Sequence, residues 1–213
     1  MNPSLGEKRI LWQAGDPYQV TREFENALCE YTGARYAVAV NSCTAALLLA
    51  CQRHFKSMPF HIEIPKRTYV SVPMAIINAG GDVYFRDEKW RGAYQLHPLP
   101  IWDCARRFTS RMYRAGQFQC VSFSASKILG AEQGGAILHD NAEADYWFRR
   151  MRFDGRTEGF ATVDDHFDLI GHHCLMIPSV AATLLVRLYH LPKHNEDLGE
   201  VEYPDLSKHP AFK

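Results

Sequence analysis

Three short stretches of the 213-residue chain hold residue types that can do chemistry. The first is "VSFSASKILGAEQGG" (121–135), where Ser122 and Ser124 precede Lys127, and Gly134 and Gly135 lead into the strand-like "AILH". A lysine just beyond a buried strand loses hydration, which lowers its pKa from about 10.4 toward neutrality, and a neutral amine can form a Schiff base. On an open surface the same lysine is a solvated cation. The second is Asp103, which closes the apolar run "LPIWD" and either meets a ligand or caps the next segment. The third is the turn "NSCT" (41–44) between "AVAV" and "AALLL". A helix starting there offers free amides and its positive dipole end to an anion, with the Ser42 and Thr44 hydroxyls as extra donors. Plain capping by Asn41 or Ser42 explains the same residues. The turn lacks the glycines and lysine of a Walker loop, which argues against an NTPase.

Together the three stretches match what pyridoxal phosphate requires: an anchor for its phosphate, a partner for its pyridine nitrogen and an amine for its aldehyde. The carboxylate would keep the ring nitrogen protonated, so that the ring accepts electrons from a developing carbanion. The lysine would hold the cofactor and then move the proton at the carbon bearing the migrating amine.

The elements that must position these groups follow from periodicity. "QVTREFENALCEYTG" has Phe24, Ala27, Leu28 and Tyr31 at helical spacing and stops at Gly33. "SCTAALLLACQRHF", "VSVPMAIINAGG", "AEADYWFRRMRF" and "IPSVAATLLVRLYHL" predict further helices, the last with Pro178 in its first turn. "RYAVAV", "FHIEIP", "DVYFRD", "LPIWD", "QCVSFS" and "GGAILHD" predict strands. Alternation of this kind predicts an α/β fold with a mostly parallel central sheet flanked by helices, in which ligands bind at the carboxyl ends of strands. Residues 1–192 are expected to form one large domain and 193–213 a short irregular tail.

Composition excludes several functions. Twenty-four basic residues balance twenty-four acidic ones, so no global field draws nucleic acid or an anionic membrane. The opening "MNPSLGEKRILWQAGD" has no apolar leader, and the longest nearly apolar run, "CTAALLLAC", is far shorter than the roughly 20 residues of a membrane span. A soluble, cytoplasmic protein is expected. Six cysteines without a C-x-x-C pair suit reduced thiols better than a disulfide frame or zinc knuckle. Adjacent His172 and His173 in "GHHC" point apart, and no second ligand pair stands at metal-binding spacing, so no metal site is expected.

The segments "FENALCEYTGARYAVAVNSCTAALLLA", "IEIPKRTYVSVPMAIINAGGDVYFRD", "IWDCARRF" and "VSFSASKILGAEQGGAILHDNAEADYWFRRMRFDG" resemble, in order and wording, the DegT/DnrJ/EryC1/StrS family of sugar aminotransferases. The resemblance covers roughly residues 20 to 190. Its most specific part is the lysine segment, with serine five residues before the lysine and Gly-Gly seven after it. It implies the type I fold of pyridoxal-phosphate enzymes, a homodimer, and transfer of an amino group from an amino acid such as glutamate to a keto sugar carried on a nucleotide. By position, Lys127 resembles the cofactor-bearing lysine and Asp103 the pyridine-nitrogen partner. Ser122 with Cys43 and Thr44 resembles the phosphate cup, and Tyr69 in "RTYVSV" the residue that stacks on the cofactor.

Departures from the family pattern carry their own expectations. Cys43 replaces a glycine, so a positive φ there would be strained. Arg106 replaces the glutamine or histidine that meets the cofactor's phenolic oxygen; being always charged and only a donor, it would favour an ionised phenolate. Leu175 replaces an asparagine that reaches the neighbouring subunit's phosphate. Arg152 and Arg156 in "RRMRFDGR" are expected near an anionic substrate or on a solvated face. The passage "EKWRGAYQLHPLP" compresses a longer strand-helix-strand, and most of the family's small C-terminal domain has no counterpart. The alternatives are a same-fold sugar dehydratase, against which the retained lysine argues, and a non-catalytic scaffold or regulatory relative, against which Lys127 and Asp103 argue.

Overall fold

The computed structural model describes residues 15–16, 18–55, 61–199 and 201–212. Most of the opening segment, and Phe60 of the predicted "FHIEIP" strand, lie outside them.

Each predicted helix forms where its apolar spacing places it. Helix α1 (Gln19–Thr32) ends as Gly33 takes a left-handed φ of 81° and returns its N–H to the Cys29 carbonyl. Helix α2 (Cys43–His54) is capped by Ser42, whose hydroxyl accepts from the Ala45 amide at 3.1 Å. Helix α3 (Ser71–Asn78) is short and has no side-chain cap. Helix α4 (Ala142–Met151) is capped by Asn141 and matches its dipole with Glu143 and Asp145 in the first turn and Arg149 and Arg150 in the last. Helix α5 (Pro178–His190) opens on its proline. No helix among the described residues is long and apolar enough to cross a membrane.

The strands are β1 (Tyr36–Val40), β2 (His61–Pro65), β3 (Asp82–Arg86), β4 (Tyr94–Leu96), β5 (Ile101–Asp103), β6 (Phe118–Ser122) and β7 (Gly135–His139). The main sheet runs β1-β7-β6-β5-β4, and β2 pairs with β3. Glu63 and His97 exchange backbone hydrogen bonds of 2.8 and 3.1 Å, which join β2 to the β4 edge. Strands β1, β6, β5, β2 and β3 thus share one direction, while β7 and β4 oppose it.

Five of these seven strands run one way, in keeping with the expected mostly parallel sheet, and β7 and β4 make it mixed; for β4 the reason is chain length. Parallel neighbours need a crossover of a dozen or more residues, whereas only residues 97–100 separate β4 from β5, so the compressed passage folds back antiparallel. Strand β4 has no counterpart among the strands predicted from sequence.

Alternate side chains of the central strands feed two cores. Val38, Val40 and Ile137 pack with α2, α3 and α4 on one face. Ala37, Ala39, Ala136 and Leu138 pack with α1 and α5 on the other. Between the layers, Glu25 receives the Ala39 amide at 2.8 Å, Arg152 at 2.5 Å and Arg149 at 2.7 Å. The expected placing of Arg152 toward a substrate is thereby corrected: it is 1% exposed and fully engaged with Glu25, Glu158 and the Ala39 carbonyl. Arg156 faces Phe153 and Phe160. All six cysteines are free thiols.

Candidate active site

Strands β1, β5 and β6 end on one edge of the sheet, and a cavity of about 490 Å³ opens there. It is lined by Lys127, Asp103, Ser122, Cys43, Thr44, Tyr69 and Arg106, so every residue singled out from sequence for the cofactor meets in one place.

The anion end comes from α2. Its cap residue Ser42 also donates to the Asn41 side chain at 3.2 Å, and the Ala45 amide is satisfied by the cap. The Cys43 and Thr44 amides belong to the first helical turn, which no preceding carbonyl can reach. Cys43 has an ordinary negative φ, so the strain expected there does not arise. Its thiol turns to the Cys120 carbonyl at 3.6 Å, and burial raises its pKa well above normal. Thr44 shares a 2.7 Å hydroxyl contact with Ser71, while Ser122 and Ser124 place theirs 3.4 Å apart. Close approach of α2 to the sheet depends on Gly135. A Cβ there would stand 2.5 Å from the Cys43 nitrogen and 2.5 Å from the Ser42 carbonyl carbon.

Asp103 is 4% exposed. Burial raises its pKa, against which the Ala105 amide (2.9 Å), the Tyr94 hydroxyl (3.0 Å) and the Lys127 amine favour the anion. Tyr94 is buried too, and shares a 2.6 Å contact with Thr68. Tyr94 and Thr68 escape a reading of the sequence, because Tyr94 meets Asp103 only through the antiparallel β4–β5 pairing and Thr68 joins only by way of Tyr94.

Lys127 lies on the segment joining antiparallel β6 and β7, half-buried, with its amide on the Ser124 carbonyl at 2.9 Å. Burial and the Arg106 guanidinium lower the pKa of its amine, which Asp103 partly opposes. Gly134, at φ 134°, turns the chain back into β7. Tyr69 is 58% exposed on the cavity wall, not a core tyrosine. Leu175 bridges Val40 beneath the site.

The tail lines the mouth, which the sequence did not indicate. Arg107 grips Asp197 through two bonds of 2.9 and 2.6 Å, Arg106 donates to the Gly199 carbonyl, and Val201 and Tyr203 line the cavity. His172 and His173 turn to different partners, Gln52 and Asp154.

An open helix N-terminus, a buried carboxylate with fixed donors and a partly desolvated amine, all on one strand edge of an α/β sheet, make this a cofactor-binding fold of the pyridoxal-phosphate kind. The sequence profile of the DegT/DnrJ/EryC1/StrS aminotransferase family matches residues 12–101 and 88–201, and the chain belongs to that family. The two matches overlap in the compressed β4 passage.

Among curated relatives, the spore coat polysaccharide biosynthesis protein SpsC of Bacillus subtilis is 29% identical, covering 63% of this chain and 34% of its own length. The UDP-4-amino-4,6-dideoxy-N-acetyl-beta-L-altrosamine transaminase of Campylobacter jejuni is 22% identical, over 89% of this chain and 62% of its own. The fold superposes on Helicobacter pylori PseC, an aminotransferase "involved in the biosynthesis of pseudoaminic acid" (TM-score 0.68, 17% identity, 85% of this chain and 59% of that one). It also superposes on 3-amino-5-hydroxybenzoic acid synthase (TM-score 0.69, 19% identity, 84% and 57%). The chain thus spans less than two thirds of the length of these relatives. The fold is that of type I pyridoxal-phosphate enzymes.

Proposed function

We propose that the protein is a pyridoxal-phosphate-dependent aminotransferase that moves an amino group from an amino acid such as glutamate to a keto sugar, carried on a nucleotide. The observation behind this reading is that Lys127, Asp103 and the α2 N-terminus face one cavity. When bound, pyridoxal phosphate supplies an aldehyde to carry the amine and a ring that withdraws electrons.

The residues of the chain supply the rest. The Cys43 and Thr44 amides, with the Thr44 and Ser122 hydroxyls, hold the phosphate at the positive end of α2. Asp103 holds the proton on the pyridine nitrogen; that cation repays the burial of its carboxylate, which raises its pKa without one. Tyr69 would cover the ring, and Arg106 would donate to its phenolic oxygen. Lys127 would hold the cofactor through its amine and would move the proton at the carbon that bears the nitrogen. The lowered pKa of the amine keeps more of it neutral and able to accept that proton near pH 7.

In this reading residues 1–192 are the cofactor-binding unit and 193–213 a tail across its mouth. The unit works as a homodimer in the cytoplasm. An apolar strip of exposed Val70, just before α3, with Met74 and Ile77 on it, suits burial against a second copy.

Purified protein mixed with pyridoxal phosphate is expected to develop a visible absorption band that is absent in Lys127→Ala, and glutamate is expected to discharge it. A wild type without the band, or a mutant that keeps it, would overturn the cofactor assignment. A band that glutamate leaves unchanged would remove glutamate as the donor.

A further inference from the structure

The tail is tied down on both sides of the cavity, and the two anchors reach different residues. On one side it is fastened to the segment after β2. The Leu206 amide donates to the Lys66 carbonyl at 2.9 Å, and the Lys66 amine meets Asp87 at 2.9 Å and Asp205 at 3.6 Å. The Tyr203 ring lies 13° from parallel with that of Trp90, their centroids 6.2 Å apart. The Trp90 indole donates to the Arg67 carbonyl at 2.8 Å, and the Arg67 guanidinium donates to the Tyr203 carbonyl at 3.1 Å.

On the other side residues 193–199 run along residues 106–110, just beyond Asp103. The Lys193 carbonyl accepts from the Ser110 amide at 2.9 Å and from the Thr109 hydroxyl at 3.1 Å, and the Asn195 amide donates to that hydroxyl at 3.1 Å. The Leu198 amide donates to the Arg106 carbonyl at 2.9 Å, and the Arg106 guanidinium donates to the Gly199 carbonyl. Asp197 is the centre of this clasp. It accepts both Arg107 bonds and packs on Gly92, where a Cβ would overlap its carboxylate. The Gly92 carbonyl in turn accepts the Arg106 amide at 3.3 Å. A two-bond arginine–carboxylate fork fixes orientation as well as distance. What it fixes here is the segment that holds Arg106 by both its carbonyl and its guanidinium, on the wall of the cavity that contains Lys127. An arginine without such ties keeps its charged head in water.

We infer that Asp197 is a positioning residue for Lys127: its grip on Arg107 holds the tail segment that keeps the Arg106 guanidinium in the cavity with the Lys127 amine. The inference rests on the reading of Lys127 as the reactive amine and adds control of its proton by the tail. The charged and titratable groups that share the cavity with the amine are Asp103 from the end of β5, Cys43 from the start of α2, Arg106, Tyr69 and Tyr203. Arg106 and Asp103 act on it in opposite senses, the guanidinium disfavouring the ammonium and the carboxylate favouring it. With Arg106 released, Asp103 prevails and the amine holds its proton more tightly. A direct effect of the Asp197 charge would have the opposite sign, because removing a carboxylate disfavours an ammonium.

The test is competitive labelling of the full chain with acetic anhydride, which acetylates neutral amines, before pyridoxal phosphate is added. Mass spectrometry reads each lysine across pH, and each is normalised to its own high-pH plateau so that altered access to the reagent cancels. In Asp197→Asn the labelling of Lys127 near pH 8 is expected to fall about threefold against that plateau, while exposed Lys89 keeps its profile. Arg107→Lys, which keeps the charge and gives up the fork, is expected to move Lys127 the same way by less, and it decides the matter if Asp197→Asn does not fold. In an Arg106→Gln background the Asp197 substitution is expected to add nothing. An unchanged Lys127 profile, or a shift toward easier labelling, overturns the inference. So does a shift that persists in the Arg106→Gln background, since the tail would then act by shielding the amine from water. The visible band with pyridoxal phosphate tests the amino-transfer reading separately. A profile that moves as expected in a protein that forms no band leaves the positioning role standing and removes that reading, whereas a band with an unmoved profile does the reverse.

Discussion

At Asp103 the chain buries a charge before any cofactor arrives to neutralise it, and the neighbours determine how costly that is. Tyr94 and the Ala105 amide donate to its two oxygens, while burial drives its pKa upward. In Tyr94→Phe one donor is lost and Thr68 loses its partner, at a cost of about 1–2 kcal/mol in stability. The pKa of Asp103 should rise further, so cofactor affinity should fall most at the acid end of its pH range. Denaturant melts and titration of the visible band at several pH values measure both effects. An affinity unchanged at every pH would reduce Tyr94 to a packing role. Lys127 is tuned in the opposite sense, because burial and Arg106 both disfavour its cation.

Between elements, the tightest junction is that of α2 with β7. Gly135 leaves room for the Ser42–Cys43 peptide, and Ser42 bridges to Gly134. The substitution Gly135→Ala forces backbone apart, with an expected loss of about 1–3 kcal/mol and of most phosphate affinity, since the Cys43 amide moves. Thermal melts and inorganic phosphate binding would show it; a stable variant with unchanged phosphate affinity would place the anion elsewhere. The residues of this junction stood out in sequence, though their contact did not. The "NSCT" turn, the lysine segment and its Gly-Gly announce themselves by residue type and spacing, and apolar runs located the five α-helices of the described residues. What stayed hidden depends on pairing between distant residues. Strand β4 is three residues long, too short for a period to register. Tyr94 gains its role only opposite Asp103, and Trp90 and Tyr203 gain theirs only when the tail crosses the mouth. The mixed sheet was hidden for the same reason, since strand direction depends on connection length as well as on the strands.

Across the whole molecule, Glu25 of α1 ties together β1 and α4. Burial raises its pKa, but Arg152 and Arg149 outweigh that and hold it below its ordinary value of 4.5. A carboxylate lowered in this way contributes stability above the unfolded pKa and loses it as pH falls through the folded one. Wild type should therefore lose stability progressively below about pH 4.5. Glu25→Gln should be about 3 kcal/mol less stable at pH 7, because buried Arg152 loses one of its two carboxylate partners and keeps only Glu158, and should show a shallower acid slope. Chemical denaturation across pH measures both, and parallel wild-type and variant profiles would remove Glu25 as the source of the slope.

The antiparallel return of β4 onto β5 also sets an order of assembly. Tyr94 and Asp103 are nine positions apart, so the carboxylate end of the site closes from a local hairpin, whereas Glu25 waits for Arg152, 127 positions away. Short loops close at smaller entropic cost than long ones. In pulse-labelled hydrogen exchange during refolding, the Ala105 amide, held by Asp103, should be protected before the Asn41 amide, held by Cys174; the reverse order would refute this. The cradle at α2 then follows the carboxylate end, so cofactor capture reports a late stage of folding and cannot guide its early steps.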